Sequence, residues 1–79
     1  MEAYILVNAE PNILWMVAET MRKIEGVKMA HAVTGQFDVA AFVEFPKIDD
    51  LGKIIEKVQC IKGVCRTQTL IVIPPTIRE

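Results

Sequence analysis

The chain predicts an α+β domain in which a strand–helix–strand unit occurs twice, and three observations carry that prediction. The apolar residues are weighted towards β-branched strand formers, with ten Ile and nine Val against four Leu. Two stretches place apolar residues three and four positions apart, the spacing of one helix face, and each leaves the helix through Ile-x-Gly-Val. The second stretch also repeats the first at a shift of 37 residues. Asn12 then falls on Asp49, Leu14 on Leu51, Val17 on Ile54, Met21 on Val58, Ile24 on Ile61, Gly26 on Gly63 and Val27 on Val64. Two right-handed strand–helix–strand units interleave into one antiparallel four-stranded sheet with both helices on one face, the ferredoxin-like βαββαβ arrangement.

Each element has a local reason. Tyr4 to Val7 is an apolar run that reads as the first strand, and Glu10-Pro11-Asn12 breaks it, with Asn12 placed to cap a helix. Leu14, Val17, Met21 and Ile24 give that helix its apolar face, Glu19 and Lys23 form an i,i+4 pair, and Gly26 supplies the left-handed exit. Val27 to Val33 returns to strand composition. Gly35 and Gln36 then suit a two-residue hairpin turn into a third strand from Asp38 to Phe45, which Pro46 ends. Asp49 or Asp50 is placed to cap a second helix with the face Leu51, Ile54, Ile55, Val58 and Ile61, and Gly63 ends it. Val64 to Ile73 is the last strand, stopped by Pro74-Pro75, and Thr76 to Glu79 is expected to be loose.

Length and charge limit what such a domain can do. Seventy-nine residues make a single domain, 1–79, whose isolated core is small. The first, third and last strands are apolar on both faces, which would leave a large hydrophobic patch on the side away from the helices. A second copy packed sheet against sheet covers it, so an obligate dimer is expected. Nine basic against ten acidic residues give a net charge of −1, a poor electrostatic footprint for nucleic acid. No apolar stretch is long enough to span a membrane, and no basic region precedes the first apolar run, so the expected compartment is the cytoplasm.

Candidate chemistry is sparse. His31 is the only histidine, so one subunit has no pair of imidazoles for a metal, and neither a metal nor a cofactor is expected. Cys60 and Cys65 lack C-x-x-C spacing. They are expected as buried thiols, with a disulfide left open. Met16, Met21 and Met29 read as packing residues, and Trp15 as either half exposed at a subunit contact or a widening of the core face. No catalytic triad or phosphate-cradling loop is present, which argues against an enzyme. In the turn Val33, Thr34, Gly35, Gln36, Phe37 and Asp38, glycine lets a ligand approach the backbone, and the Asp38 carboxylate suits an ammonium group. The same residues also fit a plain hairpin capped by Asp38. Thr67 and Thr69 share one face of the last strand, as ligand hydroxyls or as ordinary strand residues, while Gln68 points the other way into solvent.

Ile24-Glu25-Gly26-Val27, Ala32-Val33-Thr34-Gly35-Gln36-Phe37-Asp38 and Ile61-Lys62-Gly63-Val64 with Thr67 and Thr69 together carry a resemblance. Their order and spacing, from Ala3 to Ile73, resemble the effector-binding (RAM) domain of the Lrp/AsnC transcriptional regulator family. The resemblance implies dimers formed through the sheets, octamer-like rings of dimers, and a free amino acid bound between dimers. It further implies ligand contacts from the Val33–Asp38 turn, with Asp38 at the amino end and Thr67 and Thr69 nearby. The usual DNA-binding helix-turn-helix segment does not precede the first strand, so a stand-alone effector domain is expected. Two rivals remain. One is a ligand-free assembly partner of full-length Lrp/AsnC regulators, and the other a small dimeric ferredoxin-like enzyme.

Overall fold

The computed structural model describes residues 1–75. Four strands and two helices follow the expected order: β1 (Glu2–Ala9), a 3-10 turn (Pro11–Ile13), α1 (Leu14–Arg22), β2 (Val27–Ala32), β3 (Val39–Glu44), α2 (Ile48–Gln59) and β4 (Val64–Ile71). All pairings are antiparallel and the sheet order is β2-β3-β1-β4, the ferredoxin-like topology. Alternation sorts the side chains. Ala3, Ile5, Val7 and Ala9 of β1 and Val39, Ala41 and Val43 of β3 are buried against Val17, Ala18 and Met21 of α1 and Leu51, Ile54 and Val58 of α2. Both predicted helical faces therefore reach the core.

The pseudo-symmetry extends to individual hydrogen bonds. Leaving α1, the Ile24 N–H donates to Met21 and the Val27 N–H to Ile24; leaving α2, the Ile61 N–H donates to Val58 and the Val64 N–H to Ile61, all at 3.1–3.2 Å. The register of β2 shifts at Lys28 and that of β4 at Cys65, the same position in both halves. Arg22 Nε donates to the Ala30 carbonyl at 3.0 Å, and its counterpart Gln59 Nε2 donates to Thr67 Oγ1 at 3.2 Å. Gly26 and Gly63 both hold positive φ, +99° and +97°, and each lies against the helix of the other half.

Several local expectations are corrected. Asn12 caps nothing: it lies within the 3-10 turn that Pro11 opens, and α1 begins without a side-chain cap. Neither Asp49 nor Asp50 is an N-cap. Lys47 holds that position, and both carboxylates sit in the first turn, where the helix dipole favours them. Glu19 pairs with Arg22 at 2.7 Å rather than with Lys23. The β2–β3 connection is a six-residue loop, 33–38, instead of a two-residue turn, because Asp38 is drawn to β1. β4 ends at Ile71, although the Val72 N–H still donates to Glu2 O at 2.9 Å. Cys60 and Cys65 are exposed free thiols: Cys60 is the C-cap of α2, and Cys65 sits at the register shift near the start of edge strand β4. Trp15 is 72% exposed and does not widen the core, and among the methionines only Met21 is buried. The expectation for Thr76 to Glu79 lies outside the described residues.

The face away from the helices is uncovered in the protomer. Met29, Phe42, Tyr4 and Leu70 form one row across all four strands, and His31, Ala40, Leu6 and Gln68 form the next. The rings of Tyr4 and Phe42 meet at 5.1 Å between centroids. Tyr4, Met29 and Leu70 are each more than two-fifths exposed, an apolar surface of the kind that marks an interaction site.

Candidate functional site

The motif residues Val33–Asp38 form the loop beyond the end of β2, and Asp38 ties that loop to β1 at two points and closes it on itself at a third. Its N–H donates to Val7 O at 2.8 Å and its carbonyl accepts from the Val33 N–H at 2.8 Å. Its carboxylate Oδ2 accepts from the Ala9 N–H at 2.9 Å. The β1–β3 register runs from Glu2↔Glu44 only as far as Val7↔Val39, so the carboxylate takes over as acceptor where main-chain pairing stops. On the same side, Asn8 Nδ2 donates to the Gln36 carbonyl at 2.8 Å. Val33, Thr34, Gly35 and Gln36 are exposed, whereas Phe37 and Asp38 are half-buried. Gly35 holds φ +120° with open space on its Cβ side.

Thr67 and Thr69 do share a face, and it is the face that carries the helices: Val7 pairs with Thr67 and Ile5 with Thr69. Thr67 Oγ1 accepts from Gln59 at the last turn of α2. β1 separates these threonines from Asp38, so Thr67 and the loop sit at the same end of the sheet two strand spacings apart, roughly 10 Å. Gln68 is exposed on the open face beside Leu6. The anchors Asn8 and Ala9 escape a sequence reading because they look like the start of the loop before Pro11. The one available signal is a polar Asn8 closing an apolar alternation.

The sole histidine, His31, is exposed on the open sheet face, and no group of metal-ligating side chains is found among the described residues. No helix of the described residues is long and apolar enough to cross a membrane. A cleft of about 710 Å³ lies at the opposite end of the sheet from the motif loop, lined by Gly26, Lys28, Phe45, Lys53 and Lys57 among others.

A family model for the Lrp/AsnC ligand binding domain matches residues 2–79. The chain belongs to this Lrp/AsnC family. It is 37% identical over 73 residues to an uncharacterized HTH-type transcriptional regulator of Pyrococcus furiosus, a match covering 87% of this chain and 49% of that protein. It is 34% identical over 73 residues to a homocitrate synthase of Sulfurisphaera tokodaii, covering 91% of this chain but only 16% of that enzyme. A transcriptional regulator of Neisseria meningitidis, solved as its L-Met complex, shares the fold with a TM-score of 0.82 at 20% identity, over 98% of this chain and 52% of that one. The chain thus spans about half the length of the regulators it matches. The Lrp/AsnC match supports an effector-binding and oligomerisation role for the domain.

Proposed function

We propose that this Lrp/AsnC domain senses a free amino acid, bound between dimers against the Val33–Asp38 loop, and that the dimers form through the open sheet face. The observation that carries the reading is the anchored loop: Asn8 and Asp38 hold an exposed stretch of backbone, centred on Gly35, at the end of the sheet. Asp38 spends Oδ2 on Ala9, which leaves Oδ1 to accept from an α-ammonium group. The uncovered sheet face, with Tyr4 and Leu70 exposed and Leu6 and Phe42 half-buried beside them, supports the dimer, and rings of dimers follow from the same family reading. The setting is the cytoplasm, and the output is modulation of regulators or of metabolism.

Calorimetric titration with each of the twenty amino acids tests this, on protein whose oligomeric mass has been recorded by light scattering. Saturable heat from one or a few is expected. Asp38→Asn keeps an acceptor for the Ala9 N–H and removes only the charge. It is expected to abolish that heat at unchanged mass, with stability held to within about 0.5 kcal/mol. Asp38→Ala removes the acceptor as well, and should lower the unfolding free energy by about 1–2 kcal/mol in urea melts. Undiminished affinity in both variants would remove Asp38 from the site.

A second reading has its own support: Asp38 and Thr67 already find partners inside the protomer. On that reading the domain is a ligand-free assembly partner of full-length Lrp/AsnC regulators. An intact oligomer that gives no heat with any amino acid would favour it.

A further inference from the structure

The 37-residue pseudo-symmetry builds the same groove twice, and the two copies are lined differently. One groove runs between α1 and the exit of α2 and is lined by Ile13, Met16, Val17, Thr20, Ile61 and Lys62, with a volume of about 290 Å³. Its counterpart runs between α2 and the exit of α1 and is the cleft of about 710 Å³. The shift places Ile13 on Asp50, Met16 on Lys53, Val17 on Ile54 and Thr20 on Lys57. Val17 and Ile54 are both buried, because each helix needs an apolar floor residue there to pack on the sheet. Packing does not require the rim, and in one copy the rim has become charged.

The charges of that cleft are sorted by wall. Lys53 and Lys57, one turn apart on α2, line one wall together with Asp50, so that wall carries two cations against one carboxylate. The facing wall, from β1, the α1 exit, β2 and the end of β3, carries Glu2, Glu25 and Glu44 with Lys28, and Met1 lines it beside them. Lys28 Nζ stands 4.0 Å from Glu44 Oε1. Among the described residues Lys53, Lys57, Glu2 and Glu25 form no ion pair. Buried Phe45 and Ile54 floor the space between the walls. A positive wall facing a negative wall across an apolar floor suits a ligand with one charge of each sign. The volume lies within the range of ligand pockets and exceeds what a single amino acid fills.

We propose that this cleft is a binding site for a short peptide with free termini, its carboxylate held between Lys53 and Lys57 and its ammonium on the Glu25 side. The site is separate from the motif loop and does not depend on it. The test is a titration of the isotope-labelled protein with trialanine, read from amide chemical shifts. Saturable shifts are expected at Gly26, Lys28, Lys53 and Lys57. The double variant Lys53→Gln/Lys57→Gln changes two exposed side chains and should leave the remaining spectrum intact, while weakening binding by roughly tenfold or more. N-acetylated, C-amidated trialanine should bind weaker by at least a similar factor. No saturable shift at millimolar trialanine, an equal response to the blocked peptide, or shifts confined to residues 33–38 would each overturn the proposal. Free alanine binding the cleft as tightly as trialanine would overturn the peptide assignment.

Discussion

Replacing Gly63 with alanine is expected to lower the unfolding free energy by about 2–4 kcal/mol, a large share of the roughly 4–12 kcal/mol available to a domain of this size. Two terms add. Gly63 sits at φ +97°, where an L side chain costs about 1 kcal/mol. A Cβ there would also collide with Ile13 Cδ1 and stand 2.9 Å from Ile13 Cγ1. The backbone cannot retreat easily, because the Gly63 carbonyl accepts from the Glu10 N–H at 3.0 Å. Overpacking of this kind costs about 1–3 kcal/mol. Urea melts of Gly63→Ala in the native and Ile13→Ala backgrounds separate the terms. With the isoleucine trimmed, only the backbone term of about 1 kcal/mol should remain. An equal penalty in both backgrounds would show that Ile13 is not the obstacle. Gly26→Ala should cost less: its Cβ meets the movable end of Ile54 at 2.8 Å, although Glu44 O lies 3.0 Å away.

These glycines also show why the fold was legible. An Ile-x-Gly-Val exit encodes a backbone conformation and a close approach in adjacent residues, so its recurrence at Gly26 and Gly63 revealed the duplication directly. The helical faces were legible for the same reason, since Val17, Met21, Leu51, Ile54 and Val58 are spaced by the period of the element that buries them. Caps were not. Asn12 and Asp49 are good capping residues in isolation, but Pro11 and Lys47 fix where each helix starts, and several overlapping polar residues fit the pattern equally well. The β2–β3 connection was legible as a turn around Gly35, but its geometry was not. Gly35-Gln36 fits a two-residue turn until Asp38 is seen bonded to Val7 and Ala9, the latter 29 residues distant in sequence. Burial of Cys60 and Cys65 was not legible, because the C-cap of α2 and the first residues of edge strand β4 accept buried and exposed thiols alike.

Phe42→Glu is expected to convert the assembly to protomers at micromolar concentration, the largest effect on association that a single substitution should produce. Phe42 lies inside the apolar row between Met29 and Tyr4, beside the Leu6 row. A two-fold sheet-to-sheet contact presents that row to its own copy, so each substitution is felt twice. The ring contact with Tyr4 lies within one protomer, so its loss costs about 1 kcal/mol of that protomer's own stability, whereas desolvating a carboxylate in the centre of such an interface costs association several kcal/mol per copy. Two copies therefore weaken association by roughly a thousandfold or more, at 1.4 kcal/mol per tenfold. Light scattering reads the mass, and far-ultraviolet circular dichroism should remain that of the folded protomer. Trp15→Glu is the necessary counterpart, because Trp15 is the most exposed large apolar residue of the helical layer. If the sheet face seats the partner, Trp15→Glu leaves the dimer whole. Dissociation by Trp15→Glu together with an intact Phe42→Glu dimer would move the interface to the helices, and with it the place where a neighbouring subunit meets the Val33–Asp38 loop.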